Sequence, residues 1–303
     1  MSTIQDNPES QVRILGTAVV PWTERYEFDE PVFRRQVHTI ARNLTRHLYV
    51  FGTAGEGYAV SEPQFDQITL AFWSSAQECG VFPMVGLISL SLPTIIARIE
   101  RSRALGFRRF QLSLPSWGAL NDHEVDVFFA ETCGRFPDCE FHHYNLLRTK
   151  RLLTSVEYRR LAAAHPNFVA VKNSTADPAV IADLLTLTPR LRFFITEMGY
   201  AIARRTHDVG LLISLASVNP VRAKEFVAGD DARRTADVTD FAAMGATLKE
   251  LSTGRYHIDG AFDKMLFRVS DAAFPLRLLP PYASATEEDF AKFHAAIPPG
   301  WAR

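Results

Sequence analysis

Phe168-Val169-Ala170-Val171-Lys172-Asn173-Ser174-Thr175 is the stretch from which the rest of the chain can be read. Its first four residues are apolar with no polar alternation, the pattern of a parallel strand covered on both faces, and a lysine closes the run. Helical patterns flank it, Ser155–His165 before and Asp177–Leu187 after. The same unit recurs outward. Short β-rich runs at Ile14–Val20, His47–Gly52, Phe82–Leu87, Phe110–Ser113, Glu140–Tyr144, Arg192–Thr196 and Gly210–Ser214 alternate with helical patterns at Pro31–Asn43, Glu62–Glu78, Leu92–Leu105 and Asp122–Cys133. Ser61-Glu62-Pro63-Gln64 has capping-box spacing with a proline early in the first turn, which marks one helix start. Such alternation implies a parallel sheet with right-handed crossovers. No G-x-G-x-x-G follows the first strand, so a dinucleotide-binding open sheet lacks its fingerprint. About eight repeats favour closure into an α/β fold of the (β/α)8, or TIM, barrel type. Strand signals stop after Pro220. The expected organisation is a barrel over residues 1–220 and a C-terminal helical extension over 221–303.

Composition excludes several classes of function. The 303 residues carry 33 Lys plus Arg against 34 Asp plus Glu, a formal net charge of −1, and 47% are hydrophobic. A near-neutral chain with no long basic run has no electrostatic footprint for nucleic acid or an anionic membrane. Three cysteines (Cys79, Cys133 and Cys139) in no CxxC spacing argue against a disulfide framework or a thiolate zinc site and for a reducing compartment. The opening MSTIQDNPESQVR has no apolar core, and stretches such as VGLLISLASV are too short to span a bilayer. The expected location is the cytoplasm.

In barrels of this kind the reacting groups sit at the carboxyl ends of the strands and in the loops just after them. Lys172 closes its strand there. In a partly apolar barrel mouth a lysine loses hydration, which favours its neutral form, and a neutral amine attacks a ketone to form an imine. Tyr144 ends the preceding strand, roughly 5 Å away, where a phenol can carry protons during imine formation. After the second strand comes Gly52-Thr53-Ala54-Gly55-Glu56-Gly57, whose backbone N–H groups can converge on an anion such as a carboxylate. Each piece alone has a structural alternative: a strand-ending lysine in solvent, a half-buried tyrosine with a satisfied hydroxyl, an ordinary glycine-rich turn. The loops after strands seven and eight are neither glycine-rich nor basic, which disfavours phosphate. His142 and His143 point to opposite faces of one strand and cannot ligate one ion, so no metal site is expected. A reactive role for Cys133 or Cys139, in a loop at the opposite end of the barrel, is not expected either.

With GTAGE after strand two, YN…RT after strand five and VKNST at strand six in order, the chain resembles the dihydrodipicolinate synthase/N-acetylneuraminate lyase family. The likeness runs from about Gly16 to LRLLPPYASATEEDF (Leu276–Phe290). The resemblance implies a (β/α)8 barrel with a helical extension, usually a homotetramer. It also implies class I chemistry, a lysine imine with pyruvate or another 2-oxo acid, using neither metal nor organic cofactor. Carried over by position, Lys172 matches the imine lysine, Tyr144 the acid/base tyrosine and Thr53 the first hydroxyl residue of the GTTGE-type loop. Gly52 and Ala54 flank that hydroxyl, Ile213 matches the strand-eight residue beside the bound 2-oxo acid, and Asn145 and Arg148 fall in the YN-x-P-x-RT stretch. Ala54 departs from a second Thr or Ser, the YN loop lacks its proline, and Pro115-Ser116-Trp117 stands where the synthases have Pro-Tyr-Tyr. Trp117 cannot pass a proton as a phenol can. Glu197-Met198-Gly199 replaces a small polar segment. These departures argue against authentic dihydrodipicolinate synthase activity. The expected function is an aldolase-type lyase acting on a 2-oxo acid and an aldehyde. Dehydration of a keto-deoxy sugar acid by the same imine chemistry and a non-catalytic ligand-binding barrel stand as alternatives.

Overall fold

A computed structural model describes residues 11–255 and 260–302. Eight parallel strands close in sequence order into a barrel: β1 (Ile14–Thr17), β2 (His47–Val50), β3 (Phe82–Gly86), β4 (Arg109–Leu112), β5 (Glu140–Asn145), β6 (Phe168–Asn173), β7 (Arg192–Ile195) and β8 (Gly210–Leu212). The helices that alternate with them are α1 (Glu30–Asn43), α2 (Glu62–Cys79), α3 (Leu92–Leu105), α4 (Asp122–Phe129), α5 (Ser155–Ala164), α6 (Pro178–Leu187), α7 (Glu197–Ala203) and α8 (Pro220–Ala228). Three more follow, α9 (Asp231–Ser252), α10 (Gly260–Ser270) and α11 (Glu287–Ala295). The (β/α)8 architecture with C-terminal helices expected from the sequence is therefore present. No helix among the described residues is long and apolar enough to cross a membrane.

Local chemistry sets the helix ends. Ser61 and Gln64 form the reciprocal capping box of α2, and Gly80 ends that helix at φ 64°. Asn121 with Glu124 and Thr154 with Glu157 cap α4 and α5 in the same way. The helix expected over Asp122–Cys133 stops as an α-helix at Phe129 and passes into a wider turn over Ala130–Gly134. There the Thr132 hydroxyl donates to the Phe128 carbonyl at 2.7 Å and competes with the regular ladder. The seven-residue α7 was not marked by the strand–helix pattern. Its Gly199 is required by space, since a Cβ there would lie 2.1 Å from the Thr175 carbonyl oxygen.

Six strands end earlier than the sequence suggests: β2 at Val50, β3 at Gly86, β4 at Leu112 and β7 at Ile195 fall one or two residues short, and β1 and β8 two or three. β1 stops at Thr17 because the Val19 N–H leaves the ladder and donates to Gln36 Oε1 of α1 at 2.9 Å. β8 stops at Leu212, so Ile213 and Ser214 lie beyond it. β5 and β6 each run one residue longer, to Asn145 and Asn173.

The chain divides into two compact units, Met1–Leu15 with Met84–Leu212 and Gly16–Pro83 with Ile213–Arg303. In the first, every residue of β6 is buried, and β6 pairs in parallel register with its neighbours, Tyr144 opposite Lys172 and Lys172 opposite Phe194. The outer face of β5 and β6 packs on helices through Phe129, Tyr158 and Phe168. In the second, Phe33 of α1 meets Phe72 of α2 edge-on, and Phe226, Phe241 and Trp301 form a cluster among the C-terminal helices.

Candidate active site

Register and side-chain alternation place four polar residues of the first unit on the concave face of its sheet. Gln111 of β4 pairs with His142 of β5, and Tyr144, two residues on, pairs with Lys172 of β6. Contacts that skip a strand fix the face. Lys172 Nζ on β6 donates to Gln111 Oε1 on β4, across β5. His142 on β5 stacks on Phe194 of β7 at 5.7 Å and 11°, across β6. Ala170 pairs with His142, and its small side chain leaves room for that stack. Lys172 is 1% exposed, and its Nζ lies 4.3 Å from the centroid of the Tyr144 ring. An ammonium there is held by an amide oxygen and the face of a phenol; as a neutral amine it keeps an N–H for the amide and gains a lone pair.

His143 points the other way. Its Nδ1 meets Tyr158 Oη at 2.8 Å, and burial pushes its pKa down to about 3, so it is a neutral core imidazole. Among the described residues no three His, Cys, Asp or Glu side chains cluster as metal ligands would. Cys133 is buried, and desolvation raises its thiol pKa.

Asn145 and Arg148 are not brought to Lys172 by any contact described. The Asn145 amide engages the Leu153 backbone at both ends, donating at 3.0 Å and accepting at 2.9 Å, and so clamps the loop after β5. Arg148 is exposed, in a short turn over Leu147–Thr149 that ends at Lys150 with φ 60°. Trp117, in the loop after β4, is 84% exposed.

In the second unit the loop after β2 is tightly built. Phe51 and Glu56 hold positive φ, 62° and 53°. A Cβ on Gly57 would lie 2.5 Å from the Phe51 carbonyl oxygen. Thr53 is buried. The N–H groups of Glu56 and Gly57 donate to the carbonyls of Thr53 and Gly52 at 3.1 and 3.4 Å, so they serve the turn itself rather than an anion. The Ala54 side chain packs in an apolar cluster with Val19 and Phe274, where an added hydroxyl would meet no polar partner in that cluster. Glu56 anchors the loop. Its carboxylate accepts from Trp22 Nε1 at 2.7 Å and from the Leu279 N–H at 2.7 Å, and it pairs with Lys264 Nζ of α10 at 2.7 Å. Ile213 lines a cavity of about 380 Å³ with Thr17, Arg35, Gln36, Asp263 and Phe267, and among the described residues no lysine or tyrosine lines it.

Sequence reasoning missed Gln111 and Lys264. Polar Gln111 and Ser113 alternating with Phe110, Leu112 and Leu114 were the available signal for the first. The second sits in a helical stretch that offered none.

No family model matches the chain. A 4-hydroxy-tetrahydrodipicolinate synthase from Exiguobacterium sibiricum is 26% identical over 177 residues, 57% of this chain. The chain thus spans about six tenths, 59%, of that relative's length. Solved structures similar over nearly the whole chain include YagE, a prophage protein of the dihydrodipicolinic acid synthase family from E. coli K12, in complex with pyruvate (TM-score 0.81, 14% identity, 93% of this chain and 96% of that one). Another is a dihydrodipicolinate synthase from Cyanidioschyzon merolae with lysine bound (0.81, 18%, 95% and 97%). A third is a dihydrodipicolinate synthase from Bacillus anthracis (0.81, 16%, 94% and 97%). At these identities the structural likeness speaks for the fold.

Proposed function

We propose that this chain, a divergent relative of the dihydrodipicolinate synthase family in fold and motif, is a lyase. In this reading Lys172 forms an imine with a 2-oxo acid such as pyruvate, and a C–C bond at the adjacent carbon is made or broken. One observation carries the reading: a lysine almost wholly buried on the concave face of the sheet, its nitrogen held between an amide oxygen and the Tyr144 ring. Burying a lysine costs several kcal/mol unless its surroundings compensate.

The chemistry follows from those two side chains. The neutral Nζ attacks the C2 carbonyl of the acid. One N–H proton and one further proton, delivered through the Tyr144 phenol, leave with the carbonyl oxygen as water, and a protonated imine remains. The Tyr144 phenolate left by that transfer takes the C4 hydroxyl proton as the protonated imine draws in the electrons of the breaking C3–C4 bond, giving a neutral enamine and an aldehyde. Reprotonation of the enamine and hydrolysis return the lysine and release the 2-oxo acid. Loss of water from a keto-deoxy sugar acid would pass through the same imine. For the 2-oxo acid carboxylate, the roles of Gly52, Thr53, Ala54 and Ile213 rest on the family resemblance. Borohydride reduction in the presence of pyruvate tests the reading: a stable adduct should appear at Lys172 and be absent from Lys172→Ala. A coupled pyruvate readout over a panel of keto-deoxy hexonates and sialic acid then separates cleavage from dehydration.

A further inference from the structure

Gln111 is an unusual choice for its place. It is 0% exposed, between Phe110 and Leu112 in a four-residue strand whose last three residues are all buried. A leucine or methionine would fill the same space without a polar group to satisfy. The Lys172 nitrogen only donates while it is charged, so the amide must turn its oxygen toward it. That orientation leaves Gln111 Nε2 buried with no protein partner, and Ser113 Oγ, two residues along the same face, is likewise buried without one. The amide is thus placed for its oxygen, at the expense of its nitrogen.

We propose that Gln111 holds the reacting nitrogen through the reaction. Its carbonyl oxygen accepts one N–H of Lys172 in the free protein and the single N–H of the imine once the 2-oxo acid has condensed. The inference rests on the imine reading of Lys172 and adds the group that aims it. With one N–H fixed on Gln111, the lone pair of the neutral amine is turned away from the amide, toward an incoming carbonyl. When the imine has formed, the nitrogen is planar and keeps one N–H, and the same acceptor then fixes the plane of the C=N bond. A carboxylate could accept the same hydrogen bond, but its charge would favour the ammonium and suppress the nucleophile. An amide accepts without that penalty. Tyr144 and His142 on β5 are titratable groups that share this face with the nitrogen, and both are the same in every variant compared.

The test compares Gln111→Glu and Gln111→Met with the wild-type protein. Pyruvate is the probe, and the readout is the rate of borohydride-trapped adduct at Lys172 from pH 5 to about 10. Thermal melting checks that each variant is folded. Glu is isosteric and should move the acid limb of the trapping rate upward by about 1–3 pH units, with the adduct recovered at high pH. Met should slow trapping about 10- to 100-fold without an upward shift. Two folded variants that keep the wild-type limb and rate overturn the inference, as do two slowed equally with the limb unmoved. Loss of trapping in the wild type instead overturns the imine reading itself and the inference with it.

Discussion

Two lysines are buried in this molecule, and their surroundings differ in kind. Lys264, in the second unit, is 0% exposed and saturated: its Nζ pairs with Glu56 at 2.7 Å and donates to the carbonyls of Val20, at 2.9 Å, and Arg277. Each of its three protons has an oxygen, one of them charged. It ties α10 and the segment around Arg277 to the loop after β2. Desolvation still pushes its pKa down to about 8, with Glu56 opposing. Lys172, in the first unit, is 1% exposed and rests on a neutral amide and a phenol ring. Burial alone therefore does not mark a reactive lysine. A charged partner with full hydrogen bonding makes Lys264 a structural pin, whereas the amide oxygen and phenol ring at Lys172 are the surroundings that the proposed imine chemistry uses.

The contrast breaks most directly at Lys172. Lys172→Met should abolish both turnover and borohydride adduct while leaving the melting temperature near that of the wild type. A folded Lys172→Met protein that still traps pyruvate would place the chemistry elsewhere. Tyr144→Phe should lower the rate about 10²–10⁴-fold, the usual range for a positioned proton donor, with the Lys172 adduct still detectable in long incubations. Near-normal steady-state kinetics would remove Tyr144 from the mechanism.

Lys264 should behave in the opposite sense. Lys264→Met leaves Glu56 as an uncompensated buried charge and should cost about 3–5 kcal/mol in urea unfolding. The Lys264→Met/Glu56→Leu double variant should recover much of that, because removing both charges removes the desolvation cost of both. A single variant of wild-type stability would mean the pair holds nothing.

The smallest effect sharpens the same point on β5, where His142 and His143 are neighbours in sequence with different duties. His143 has a folded pKa of about 3, below its unfolded value of 6.5. Its neutral form therefore contributes stability that is complete above pH 6.5 and is lost as pH falls through the window down to about 3. Between pH 6.5 and 4.5 the wild type should lose about 2–3 kcal/mol through this group alone, and His143→Leu should lack that part of the slope. Parallel slopes for both proteins in urea titrations would refute the assignment.

Much of this was legible in the residues. Parallel strands covered on both faces read as short β-rich runs, most of them apolar, and each of the eight overlaps one of those runs, with Lys172 next to last in β6. The capping box at Ser61 and Gln64 was written in the sequence because capping is a local interaction. The early ends of β1 and β8 were not, since the first depends on a side chain 17 residues away, Gln36, capturing the Val19 N–H. Nor was the wider turn after α4, set by one threonine hydroxyl. Gln111 alternates with apolar neighbours, as Ser113 does, and only the register that brings β4 and β6 to one face gives it Lys172 as a partner. Lys264 meets Glu56 across 208 positions of sequence, a pairing no local pattern encodes.

The account's central claim is that the nitrogen at position 172 becomes covalently joined to a carbonyl carbon. Incubation with pyruvate and borohydride, followed by intact-mass measurement and peptide mapping, tests this in one experiment. The predicted result is a single reduced adduct on the peptide containing Lys172. An unmodified Lys172 peptide with pyruvate and with each sugar-derived 2-oxo acid in the panel would contradict it.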